Sequence, residues 1–192
     1  SRSAQTMPQT SLQRKTPFEL DSKSLIFLPI KGGIGNSTLV LNTAVELKHM
    51  KPKLRIALVE LQDGGGSIAM QAGVQVKKGM ATLASLPEDA ALAADAIATS
   101  MVKHDSGVDM LLNMPHPRGV DFTLNSTTVN AILTYLNSQY DVVFLDVLPS
   151  LNALYAAVVE NAQHIYLTIV GDKLGIELAR NFLYKLENMN VD

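Results

Sequence analysis

LPIKGGIGNSTLVLN, residues Leu28 to Asn42, joins an apolar run to a glycine cluster and the cluster to a helical pattern. The run is SLIFLPI (Ser24–Ile30), the cluster is Lys31-Gly32-Gly33-Ile34-Gly35, and Ser37 and Thr38 open the helix. Strand, glycine loop and helix in this order are the parts of a phosphate-binding loop. Backbone N–H groups in such a turn point inward as an anion nest, and the helix behind it adds the positive end of its dipole. Glycine lets the backbone approach phosphate in torsions that a Cβ forbids. On this reading Lys31, Gly32, Gly33, Ile34, Gly35, Asn36, Ser37 and Thr38 hold a nucleotide. Ser37 is placed to ligate Mg²⁺ and Thr38 to touch an inner phosphate. One residue departs from the pattern: Asn36 stands where such a loop carries lysine. A plainer alternative stays open, a strand-to-helix turn with Asn36 as its N-cap.

Beyond the loop, short apolar runs alternate with helical patterns. Ser24–Ile30, Arg55–Leu61, Val108–Asn113, Asp141–Val147 and His164–Val170 read as strands. RIALVE, DVVFLDV and HIYLTIV are near-continuous and β-rich, as strands buried on both faces tend to be. Helices are expected over Ser37–Met50, Pro87–His104, Thr127–Ser138, Leu151–Glu160 and Lys173–Met189, with GMATLAS as a short extra one. This alternation implies an α/β fold, a doubly wound, mostly parallel sheet with helices on both faces. Residues 1–20 are polar, carry Pro8 and Pro17, and read as a linker or tail; residues 21–192 form the domain. The last helix ends close to Asp192, where such a sheet normally continues, so the C-terminal edge of the domain is expected to lie outside this chain.

Composition narrows the function. Hydrophobic residues at 47% and charged residues at 18% give a globular balance. A net charge of −2 gives no overall attraction for DNA or anionic lipid. With no cysteine there is no disulfide, thiolate metal site or iron–sulfur cluster. No apolar run approaches the roughly 20 residues that span a bilayer, and the N-terminus has no apolar signal core, so a cytoplasmic protein is expected. His49, His104, His116 and His164 show no ligand spacing.

Two more segments bear on chemistry. YDVVFLDVLPS, Tyr140 to Ser150, is an apolar strand ending near Asp146. A carboxylate at the end of a buried strand beside a phosphate loop can hold a Mg²⁺-bound water; a cap at a strand–helix junction is the alternative. IALVELQDGGGSIAM, Ile56 to Met70, follows the second strand. Glu60, Gln62 and Gly64 are candidates for a switch loop made mobile by Gly64-Gly65-Gly66, although plain turn chemistry and solvated side chains explain the segment too.

KGGIGNST resembles the deviant Walker A motif of the ParA/MinD superfamily, K-G-G-x-G-K-[ST]-[ST]; the early lysine is retained as Lys31, and Asn36 replaces the second. STLVLNTAVELK, KHDSGVDMLLNMPHP and YDVVFLDVLPSLN extend the likeness over most of Ser24 to Asp192, with the last as the Walker B strand. The branch most similar is the TadZ/CpaE-like proteins of type IVb (Flp/Tad) pilus assembly. The resemblance implies ATP and Mg²⁺ as ligands, and a homodimer in which Lys31 reaches the partner's phosphates. It implies pilus assembly or polar-localisation proteins as partners, at the cell pole or peripheral to the inner membrane, and no sequence-specific nucleic acid. Active relatives carry V-D-x-D where this chain has Glu60 and Gln62, and the second aspartate helps position the attacking water. A glutamine amide can orient water but cannot take its proton; Asp63 could substitute only if the loop shifted. Lys31, Gln62 and Asp63 are thus the catalytic candidates in a domain expected to bind ATP and hydrolyse it weakly or not at all. The alternative is an active partitioning-type ATPase that positions DNA or protein cargo.

Overall fold

The computed structural model describes residues 24–62, 65–87, 93–115, 122–148, 158–159 and 162–188. Strand β1 (Ser24–Pro29) leads through the glycine loop into helix α1 (Asn36–Met50), which returns to β2 (Ile56–Leu61). Short helices α2 (Ile68–Gln71), α3 (Met80–Ser85) and α4 (Ala94–Ser100) follow, then strands β3 (Val102–Lys103) and β4 (Asp109–Leu111). Helix α5 (Ser126–Gln139), β5 (Val142–Val147), β6 (His164–Thr168) and α6 (Lys173–Asn188) complete the described elements. The six strands form one sheet in the order β3-β4-β2-β5-β1-β6, parallel throughout except for the β3–β4 pair.

Every residue of β1, β2 and β5 is buried. Alternate side chains go to opposite faces, and each face has its own helices. Ile26, Leu28, Val59, Val143 and Leu145 pack with Leu83 of α3, Ile97 of α4, Ile132 and Leu136 of α5 and Phe182 of α6. Leu25, Phe27, Leu58 and Phe144 pack with Val40, Leu41 and Ala44 of α1 and with Ile68 and Ala69 of α2. The expected doubly wound α/β sheet is therefore what the chain forms. Helix α1 ends just before Pro52, where Lys48 Nζ donates to the carbonyls of Pro52 (2.9 Å) and Leu54 (2.6 Å).

Two expectations need correction. The helix read over Pro87–His104 stops at Ser100, and Val102–Lys103 is instead an antiparallel edge strand folded back on β4. Gly107, at φ 88, lets the connecting turn adopt a left-handed torsion, and Gly107 N donates to His104 O at 2.8 Å. Among the described residues strand β6 pairs only with β1, and it is not buried on both faces; Tyr166 is 37% exposed. Helix α2 has no counterpart among the expected helices. The helix read over Leu151–Glu160 lies outside the described residues apart from Val158 and Val159, which are helical and buried.

Candidate functional site

Strands β1 and β5 lie side by side with Phe27 opposite Asp146, and Asp146 is in turn opposite Glu60 of β2. This register brings the glycine loop and two carboxylates to the carboxyl ends of the strands, where parallel α/β sheets bind ligands. Gly33 (φ 76) and Gly35 (φ 85) adopt torsions that favour glycine, and Gly35 caps α1. A cavity of about 330 Å³ sits over the loop, lined by Gly32 to Thr38 with Ser67, Gln71, Asp146 and Leu148. A larger cavity, about 500 Å³, lies between β6 and α6 with a mainly apolar lining.

Asn36 is not the N-cap of α1, because Gly35 holds that position and no side chain caps the helix start. Its amide turns into the sheet and is 5% exposed. Asn36 Nδ2 donates to Asp146 Oδ1 at 2.6 Å and to Phe27 O at 3.2 Å, while its Oδ1 accepts from Thr168 Oγ1 at 2.7 Å. The residue thus cross-links β1, β5 and β6. Burial pushes the Asp146 carboxyl above its ordinary value, and hydrogen bonds from the Ser37 and Asn36 side chains pull it back only in part. Lys31 Nζ points to Asp172 Oδ2, 3.3 Å away, ahead of α6.

The match to known families follows these elements. The family described as AAA domain matches residues 22–191.

The chain belongs to that family.

Among solved structures, a ParA family ATPase from Chlorobium tepidum aligns with a TM-score of 0.69 at 17% identity, over 87% of this chain and 68% of its own. The MinC:MinD cell division complex of Aquifex aeolicus gives 0.64 at 17%, over 88% and 65%. Cobyrinic acid a,c-diamide synthase from Mycobacterium smegmatis, solved with an ATP analogue and magnesium, gives 0.65 at 20%, over 87% and 68%. At these identities the likeness establishes the fold, that of ParA/MinD-type P-loop proteins, and this AAA domain spans about two thirds of its neighbours' length. No curated protein gives a significant match.

The second loop of this AAA domain is anchored at its base. Glu60 is fully buried at the end of β2, neither solvated nor part of a loose loop. Its Oε1 accepts from the backbone N–H of Ser67 (2.8 Å) and Ile68 (3.2 Å), and its Oε2 from that of Asn113 (3.2 Å). Burial still holds its carboxyl above the ordinary range against these three donors. Gln62 Nε2 donates to Glu60 Oε1 at 3.1 Å and Gly65 O at 3.4 Å, so its amide is committed within the loop, and Gln62 does not line the phosphate-loop cavity. Asp63 and Gly64 lie outside the described residues. Sequence reasoning missed Thr168, Ser67 and Gln71. Thr168 sits 132 residues from its partner Asn36, with no local pattern to mark it; Ser67 caps and Gln71 closes a helix too short to show periodicity.

Proposed function

We propose that this chain binds ATP with Mg²⁺ over Gly32 to Thr38, dimerises around nucleotide, and hydrolyses it weakly or not at all. One observation carries the reading. Asn36 faces the sheet and Lys31 faces Asp172, so none of the described residues lining the loop cavity is cationic. The nest, the start of α1 and the hydroxyls of Ser37 and Thr38 can still bind phosphate. Turnover is harder, because the missing charge is the one that offsets charge on a transferring phosphoryl group.

The donor set suits Mg²⁺. Asp146 is a buried carboxylate with only neutral donors around it, and a cation offsets the cost of its charge. The Ser37 side chain pulls down the pKa of that same carboxylate and lines the same cavity, so its hydroxyl is at hand for the ion. Among the described residues no three His, Cys, Asp or Glu converge on a metal position. Ser37, Asp146 and the nucleotide's own oxygens would then hold the ion, as is usual for Mg²⁺ at phosphate sites. Bound there, Mg²⁺ supplies charge neutralisation for the outer phosphates. The neighbour solved with an ATP analogue and magnesium supports the same ligand pair.

The likeness to TadZ/CpaE proteins supports a role as a localisation or assembly factor for a type IVb pilus, acting in the cytoplasm at the pole or at the inner membrane. Among the described residues no helix is long and apolar enough to cross a membrane. The neighbour solved as MinC:MinD supports a protein partner. Calorimetry with ATP and Mg²⁺, followed by phosphate release, tests the reading. Micromolar or weaker binding with negligible release is expected. Brisk release would replace it with an active partitioning-type ATPase, and no heat at millimolar ATP would make the site vestigial.

A further inference from the structure

We propose that Gln71 is a nucleotide-binding residue whose side-chain amide donates to an inner phosphate, replacing part of what the loop loses at Asn36; this rests on the nucleotide reading above. Gln71 closes α2 and faces the loop cavity from the second loop, opposite the helix that starts at Asn36. Its Oε1 accepts from Thr38 Oγ1 at 2.8 Å, and its Nε2 donates to Ser67 Oγ at 3.1 Å. Thr38 is the hydroxyl expected at an inner phosphate, so the Gln71 amide sits where that phosphate would arrive.

Two features make Gln71 a candidate ligand and not only a surface partner of Thr38. The first is anchoring. Glu60 accepts from the N–H groups of Ser67 and Ile68, and Ile68 and Ala69 are fully buried, so the backbone that carries Gln71 is fixed against the sheet. The second is freedom of the side chain itself. Gln71 is exposed, and both of its present contacts are to hydroxyls, which can donate or accept. A phosphate accepting from Thr38 and from Gln71 Nε2 needs only side-chain rotation. Neutral donors to a charged group are worth enough to change affinity about tenfold.

The test is calorimetric titration of the full chain and of Gln71→Ala, Gln71→Asn and Gln71→Glu with ADP–Mg²⁺ and ATP–Mg²⁺, with thermal unfolding of each without nucleotide. Gln71→Ala is expected to bind both nucleotides about tenfold more weakly. Gln71→Glu, which sets a carboxylate against phosphate, should bind more weakly still, and Gln71→Asn should fall between Ala and the unmodified chain. Melting temperatures should stay together, since Gln71 buries little. Equal affinities across the series, with the unmodified chain binding normally, would overturn the proposal and leave the nucleotide site standing. A loss confined to ATP would overturn it too, because it would place Gln71 at the outer phosphate. If the unmodified chain binds neither nucleotide, the nucleotide reading itself fails and takes this proposal with it.

Discussion

Asn36 is too short to do what a loop lysine does. Its amide has one donating and one accepting end, and the sheet uses both, through Asp146 and Phe27 on one side and Thr168 on the other. Asn36→Ala should therefore act first on stability, since it strips a donor from the buried Asp146 carboxylate. A loss of about 1–3 kcal/mol is expected, read by thermal or denaturant unfolding. Thr168→Val removes a single bond and should cost less. Asn36→Lys should tighten ATP binding by about 1.5–3 kcal/mol, measured calorimetrically, without restoring fast hydrolysis. The reason is Gln62, whose amide is tied to Glu60 and carries no base. The missing lysine was readable in eight residues of sequence. The direction of the asparagine was not, because it depends on a threonine 132 residues further along the chain.

The segment between β2 and α2 shows where local pattern misleads. Gly64-Gly65-Gly66 reads as a hinge, yet Gly66 has a packing role: a Cβ there would overlap the Glu60 carboxylate. Its N–H also donates to Met114 O at 3.3 Å, joining the loop to the segment that follows β4. Gly66→Ala should thus destabilise the fold by roughly 1–3 kcal/mol, since the displaced carboxylate leaves three backbone donors unpaired. Glu60 also predicts a pH dependence. Its folded-state pKa lies above the ordinary value of 4.5, so its contribution favours the fold at low pH and is lost as pH rises through the folded value. Glu60→Gln should flatten the melting temperature against pH over that window; Asp146, raised for the same cause, contributes a slope of the same sign. The sheet's buried central strands were readable from their apolar runs. The β3–β4 hairpin was not, because two residues of strand carry too little pattern to stand out from the helix before them.

Taken whole, the molecule ties its phosphate loop to the β6–α6 edge at two places. Thr168 holds Asn36 from the end of β6, and Asp172 holds Lys31 ahead of α6. Asp172 also secures the start of α6. Its Oδ1 accepts from Gly175 N at 2.6 Å, and this bond, more than Lys31, holds its carboxyl below the usual range. What Asp172 adds to stability is therefore present above its ordinary value of 3.8 and lost as pH falls through the lowered folded value. Both ends of the ion pair are substantially exposed, so the pair itself contributes little to the fold. Its consequence is for Lys31, which cannot serve Asp172 and a phosphate at once. Asp172→Asn keeps an acceptor for Gly175 and drops the charge, so the melting temperature near pH 7 should fall less than in Asp172→Ala while Lys31 is released. If Lys31 reaches a partner's phosphates, this variant should associate several-fold more readily with ATP–Mg²⁺ in sedimentation. Asp172→Ala should associate as readily but melt a few degrees lower, because the helix loses its cap. Lys31→Ala should abolish the nucleotide-linked gain in either background. Nucleotide-dependent association that ignores all three substitutions would mean that Lys31 does not act across an interface, and that Asp172 serves α6 alone.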